Sequence, residues 1–281
     1  MNAVTEIADV IELQTWAADK SYSVSSLEED LRAVVSIEER EQVEEVARQV
    51  FENLSERSRL LGSSYPFNHD GIKLTPNERV QDSSYLFCLG LTCLDDITQN
   101  LRTREFEAIV KSAAQQYFGG NAVRIGAPWK TQEITAYGEL LQLVSDLIPD
   151  IGPPTQTKAP DGGDAGWDVV VVNNFPDKQF SRIIALGNCA TGRTDWRRKG
   201  IETQPTMFWN FFTRPPQPYN VCVTFLAVPF LMTPDDKLRK AGPTCITFDR
   251  IRICERAPTA SPTAMDWLAS QRASALDLPL S

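Results

Sequence analysis

The stretch Asp161-Gly162-Gly163-Asp164-Ala165-Gly166-Trp167-Asp168-Val169-Val170-Val171-Val172 passes from turn-forming glycine and aspartate into four consecutive valines. Glycine and aspartate favour turns and β-branched residues favour strands, so a loop ends and a strand begins here. Upstream, Gly152-Pro153-Pro154 carries the loop back to Ile151, and at this joint the apolar period changes from helical to strand-like. Downstream, Pro176-Asp177-Lys178 supplies a turn and Arg182-Ile183-Ile184-Ala185-Leu186 a second aliphatic run. Residues 167–174 and 182–189 are therefore expected as one antiparallel hairpin. Folding it about Lys178 sets Asp168 opposite Asn188, give or take one residue, with Cβ atoms about 5 Å apart. A carboxylate and an amide oxygen so placed suit a hard cation such as Mg2+, which takes oxygen ligands and is usually held by one or two carboxylates.

Outward from the hairpin the chain reads as helices before and mixed elements after. Phe106, Ile109, Val110, Ala113, Tyr117 and Phe118 form an amphipathic stripe that stops at Gly119-Gly120, and Ile134, Tyr137, Leu141, Val144 and Ile148 form another. Ser25-Ser26-Leu27-Glu28-Glu29 reads as a capping box opening a helix over 26–60, with Val43, Val46, Val50, Phe51 and Leu54 on its apolar face. The segment 62–83 is polar and rich in turn residues, and the apolar run 85–94 fits a buried helix or a strand equally. After the hairpin, a helical segment is expected near 194–212, strands at 221–227 and 245–254, and a last helix around 264–275. Phe208, Phe211 and Phe212, at i, i+3 and i+4, are assigned to core packing.

A chain of 281 residues with 42% apolar side chains buries a sizeable core, and its net charge of −9 restricts any polyanion contact to a local surface. Charge is unevenly spread. Residues 1–60 hold 14 acidic and 6 basic side chains, whereas 180–260 hold 12 basic and 6 acidic. Within the basic third, Arg193, Arg197, Arg198 and Lys199 surround Trp196, combining phosphate-pairing cations with an aromatic ring. A solvated helix face is the alternative for the same residues. The single histidine, His69, lies in a turn-like Asn68-His69-Asp70 context, which argues against a Ser/His/Asp site or a multi-histidine metal centre. The six cysteines contain no C-x-x-C pair and read as reduced thiols of a cytoplasmic protein. No basic leader is evident, and no run approaches the roughly 18 apolar residues that cross a membrane.

The glycine-rich turn ending in Asp168, the hairpin, and Ile184-Ala185-Leu186-Gly187-Asn188-Cys189-Ala190 resemble the core of the restriction-endonuclease-like, or PD-(D/E)xK, nucleases, in particular Mrr-type members. The resemblance spans roughly residues 100–256 and implies an α/β (α+β) fold, a mixed sheet flanked by helices. It divides the chain into a mainly helical N-terminal region, 1–95, and a nuclease-like core with a C-terminal helix, 96–281. It implies metal-dependent hydrolysis of DNA phosphodiester bonds with Mg2+ or Mn2+. Asp168 matches the metal-binding aspartate and Asn188 the Glu or Gln position, and Glu105 or Glu107 matches the acidic residue some members place on their first helix. Ala190 stands where the family has lysine, so Arg193 or Lys199 is the expected substitute cation. The same resemblance suggests an anti-phage defence effector, with DNA, a trigger-sensing protein and further copies of the chain as partners. The alternative is a nuclease fold that has lost its chemistry and serves as an interaction or assembly component; Ala190 favours it.

Overall fold

The computed structural model describes residues 3–34, 41–80, 82–94, 99–127, 129, 134–158, 166–177, 179–192, 196–197, 205–240 and 245–280. The chain divides into two compact units: residues 1–97 together with 258–281, and the intervening residues 98–257. The fold is mixed α/β, with a three-stranded antiparallel sheet and a five-stranded mixed sheet.

The first unit is built from α1 (Ala3–Ala18), β1 (Tyr22–Ser23), α2 (Val24–Val34), α3 (Val43–Leu61), β2 (Phe67–His69), β3 (Lys73–Pro76) and α4 (Ser84–Cys93). Within the helix expected over 26–60, the described residues form α2 and α3, and residues 35–40 lie outside them. The Ser25-Ser26 capping box does not open α2: Ser23 Oγ accepts from Ser26 N at 3.1 Å, two residues earlier. The turn-rich 62–83 segment contains β2 and β3, which pair with β1 to give the order β1-β3-β2. The undecided run 85–94 is helical, with Ser83 Oγ accepting from Tyr85 N. The C-terminal segment expected on the nuclease-like core belongs instead to this unit. Trp267 packs edge-on to Phe87 at 5.6 Å, Arg272 lies 4.7 Å from the Trp16 ring centroid, and Ser84 N donates to Pro258 O at 3.0 Å.

The second unit contains α5 (Gln99–Phe118), β4 (Asn121–Arg124), α6 (Tyr137–Leu147), β5 (Val169–Asn173), β6 (Ile183–Cys189), α7 (Pro205–Trp209), β7 (Val221–Ala227), α8 (Pro234–Lys240), β8 (Cys245–Phe248) and α9 (Arg250–Arg256). Strand order is β4-β5-β6-β7-β8; the first three strands are an antiparallel meander, and β6, β7 and β8 run parallel. Val170, Val172, Ile184 and Leu186 face a cluster formed with Tyr137, Leu140, Leu141 and Val144 of α6 and with Phe208 of α7. On the other face, Phe118 of α5 lies 5.7 Å from Phe225, whose ring covers Gly187. Both faces are covered, which is why β5 is a continuous valine run rather than an alternating one. The strand expected over 245–254 stops at Phe248. Asp249 then accepts from Arg252 N at 3.2 Å and starts α9. After α9, the segment expected as one last helix around 264–275 forms two, α10 (Pro262–Ser270) and α11 (Arg272–Leu276).

Candidate active site

The β5–β6 register pairs Val169 with Gly187, which would bring Asp168 beside Asn188 on the next rung. The ladder slips there. Asp168 N donates to Gly187 O at 2.9 Å, and the Asp168 carboxylate replaces the missing strand contact by accepting from Cys189 N at 2.6 Å. Trp167 joins the cluster beneath α6, so the regular alternation that would send Asp168 to that face is broken.

Ile125 N and Gly126 N both donate to Asp168 O, at 2.7 and 3.1 Å, folding the end of β4 over the start of β5. This closure puts Gly126 against two carboxylates. A Cβ built on it would stand 2.6 Å from Glu107 Oε2 and 2.7 Å from Asp168 Oδ1. Those two oxygens are thus no farther apart than the two distances laid end to end. Glu107 and Asp168 are both almost wholly buried. Arg124, at the end of β4, donates from one Nη to Glu107 Oε2 and to Gly126 O, each at 2.9 Å. One guanidinium therefore fixes both the helix carboxylate and the glycine turn. Buried carboxylates are costly without such donors, so these bonds hold Glu107 and Asp168 in place.

The structure thus brings Asp168 and Glu107 together and selects Glu107 over Glu105, which is two residues away on α5 and contacts Arg104 at 3.6 Å. Asn188 is buried on β6, where strand alternation puts it on the face of Ile184 and Leu186; no hydrogen bond joins it to either carboxylate. Ala190 is sealed in an apolar cluster with Trp196, Leu226 and Phe230, so the position that resembles the family's lysine has no place for a charge. Arg193, Arg198 and Lys199 lie outside the described residues. Arg197 is exposed, with its guanidinium 5.3 Å from the Trp196 ring centroid and 3.6 Å from Asp236. Trp196 is buried against Phe230, so its ring packs in the core rather than presenting a face to a base.

Sequence reasoning missed Arg124 and Gly126. The signal was faint: a four-residue strand directly behind the Gly119-Gly120 helix stop, with its one cation at the far end. Among the described residues no group of three or more His, Cys, Asp or Glu side chains converges as a metal site. Two carboxylate oxygens are nevertheless a donor set that a hard, largely hydrated cation accepts. No family model matches this chain, and neither a curated protein nor a solved structure is similar to it.

Proposed function

We propose that the 98–257 unit is a metal-dependent phosphodiesterase acting on DNA, a diverged relative of the restriction-endonuclease-like nucleases. The observation that carries this reading is the meeting of Glu107 and Asp168 across Gly126. The order of elements supports it as well: a helix bearing one carboxylate, an antiparallel meander bearing the other at a strand start, then a parallel strand after a crossover. Glu107 and Asp168 would hold Mg2+ or Mn2+. When bound, such a cation polarises a phosphate and lowers the pKa of an attacking water.

The protein's own groups do the rest. Arg124 provides the fixed positive charge that neither Ala190 nor Asn188 can, and it restrains Glu107 while a negatively charged phosphate approaches. The Cys189 N–H holds Asp168 in one rotamer. Replacing Asp168 by alanine would leave that N–H buried and unpaired at about 1–3 kcal/mol, so Asp168→Asn is the cleaner probe. Purified protein should nick supercoiled DNA with Mg2+ or Mn2+, and Asp168→Asn and Glu107→Gln should each cut the rate at least about a hundredfold. Unchanged cleavage in both variants would remove these carboxylates from the reaction. A wild-type protein inert with either metal would favour the non-catalytic interaction module, for which the sealed Ala190 position is the supporting observation.

A further inference from the structure

A cavity of about 280 Å3 opens beside the outer strand β8, lined by Tyr117, Thr247, Phe248, Arg252, Glu255 and Arg256. Tyr117 and Glu107 are ten residues apart on α5, about 15 Å along the helix, so this cavity is separate from the carboxylate pair. Its parts have a definite chemistry. Arg252 donates from Nη1 to Thr247 O at 2.8 Å and to Thr247 Oγ1 at 3.0 Å, which locks the plane of its guanidinium. An arginine has five N–H donors. The Nε–H and second Nη of Arg252 have no protein acceptor among the described residues, so a pinned donor edge is left for a ligand. Arg256, one helical turn on, holds its guanidinium carbon 5.9 Å from the Tyr117 ring centroid and contacts the exposed Glu255 at 3.4 Å. The Tyr117 ring is itself braced edge-on by Phe118 at 4.9 Å and Phe248 at 5.3 Å, yet remains 49% exposed.

We infer that this cavity is a nucleotide-binding subsite, in which Arg252 and Arg256 take the phosphate oxygens and the Tyr117 ring takes one face of the base. A guanidinium edge matches an oxyanion bidentately, and two of them four residues apart on one helix converge on a single phosphate. A braced aromatic ring beside them adds stacking, which every base offers. Inorganic phosphate alone would leave the ring and most of the volume unused. The cavity lies just below the usual range of ligand pockets, about 300–1,000 Å3, which suits one nucleotide unit rather than a larger ligand. Two arginines and one glutamate give the wall a single net positive charge, matched to a phosphate ester or diester. A free nucleotide and an unpaired nucleotide of a strand present the same chemistry. The inference stands apart from the nuclease reading.

Calorimetric titration of the full chain with dAMP at low salt tests it, alongside inorganic phosphate and a short single-stranded oligodeoxyadenylate. Saturable dAMP binding is expected, weakened about tenfold or more by the double change Arg252→Ala, Arg256→Ala. Tyr117→Leu should weaken dAMP but leave inorganic phosphate unchanged, a split that a loss of structure would not produce. Tighter binding of the oligonucleotide than of dAMP assigns the site to a strand, and equal binding to the free nucleotide. Asp168→Asn should bind dAMP like wild type even where cleavage is lost. No saturable binding at millimolar dAMP, or equal affinity in the double-arginine variant, overturns the inference.

Discussion

Gly126 is the residue on which the carboxylate pair depends. It has no side chain, and both Glu107 Oε2 and Asp168 Oδ1 occupy the space a methyl group would need. Gly126→Ala should force the carboxylates apart, cost about 1–3 kcal/mol of stability, and lower metal-dependent cleavage by more than the unfolded fraction explains. Cleavage and urea midpoints measured together decide this, since wild-type rates in a folded Gly126→Ala protein would show that the pair does not act as one site. His69 makes a second prediction at this scale. Burial holds its imidazole below the ordinary value, against an upward pull from Asp70, and its Nδ1 accepts from Gly71 N at 3.2 Å. The folded state thus prefers the neutral ring, and the unfolded chain takes a proton first as pH falls. Stability should be complete above about pH 6.5 and decline as pH drops through the lowered folded value. His69→Gln, measured by urea midpoints between neutral and mildly acid pH, should flatten that part of the profile.

At the scale of elements, the legible parts were those whose pattern had one physical cause. Val169 to Val172 announce a strand covered on both sides, and the Gly/Pro/Asp loop before them announces its start. By contrast, Arg250-Ile251-Arg252-Ile253-Cys254 alternates with the period of a strand, and only the Asp249 cap reveals a helix whose buried residues are Arg250, Ile253 and Cys254. Asp168 and Asn188 were expected to share a ligand because their register was read as regular, but a one-residue slip turned Asp168 toward Glu107 instead. Such slips leave no trace in a hydrophobic pattern. Gly187 shows a constraint of the same kind, because a Cβ there would overlap the Phe225 ring. Gly187→Ala should destabilise the protein by about 3 kcal/mol in urea unfolding, and adding Phe225→Leu should recover part of it. Additive losses would mean that the two residues do not press on each other.

For the whole molecule, residues 1–60 hold 14 acidic and 6 basic side chains, yet Ile11, Leu13, Val50 and Leu54 within them are fully buried in the core of their unit. Arg57 is buried there too, bonded to Asp9 at 2.8 Å and to Glu12, with Tyr85 donating to Glu12 at 2.9 Å. Net charge counts formal charges and says nothing of which ones are paired indoors. The 98–257 unit has its own clusters around α6 and around Phe230, so a fragment of residues 98–257 should fold cooperatively alone. Circular dichroism and urea unfolding check this, and a fragment without a cooperative transition would deny its autonomy. No helix among the described residues is long and apolar enough to cross a membrane. The division of the chain also orders events during synthesis. Ribosomes release the chain from the N-terminus, and the helical unit needs Trp267, Leu268 and Arg272 to close over Phe87, Gly90 and Trp16. Its first ninety-odd residues therefore leave the ribosome before the segment that packs on Phe87, Gly90 and Trp16, and a chain ending at residue 257 holds Glu107 and Asp168 but lacks those contacts.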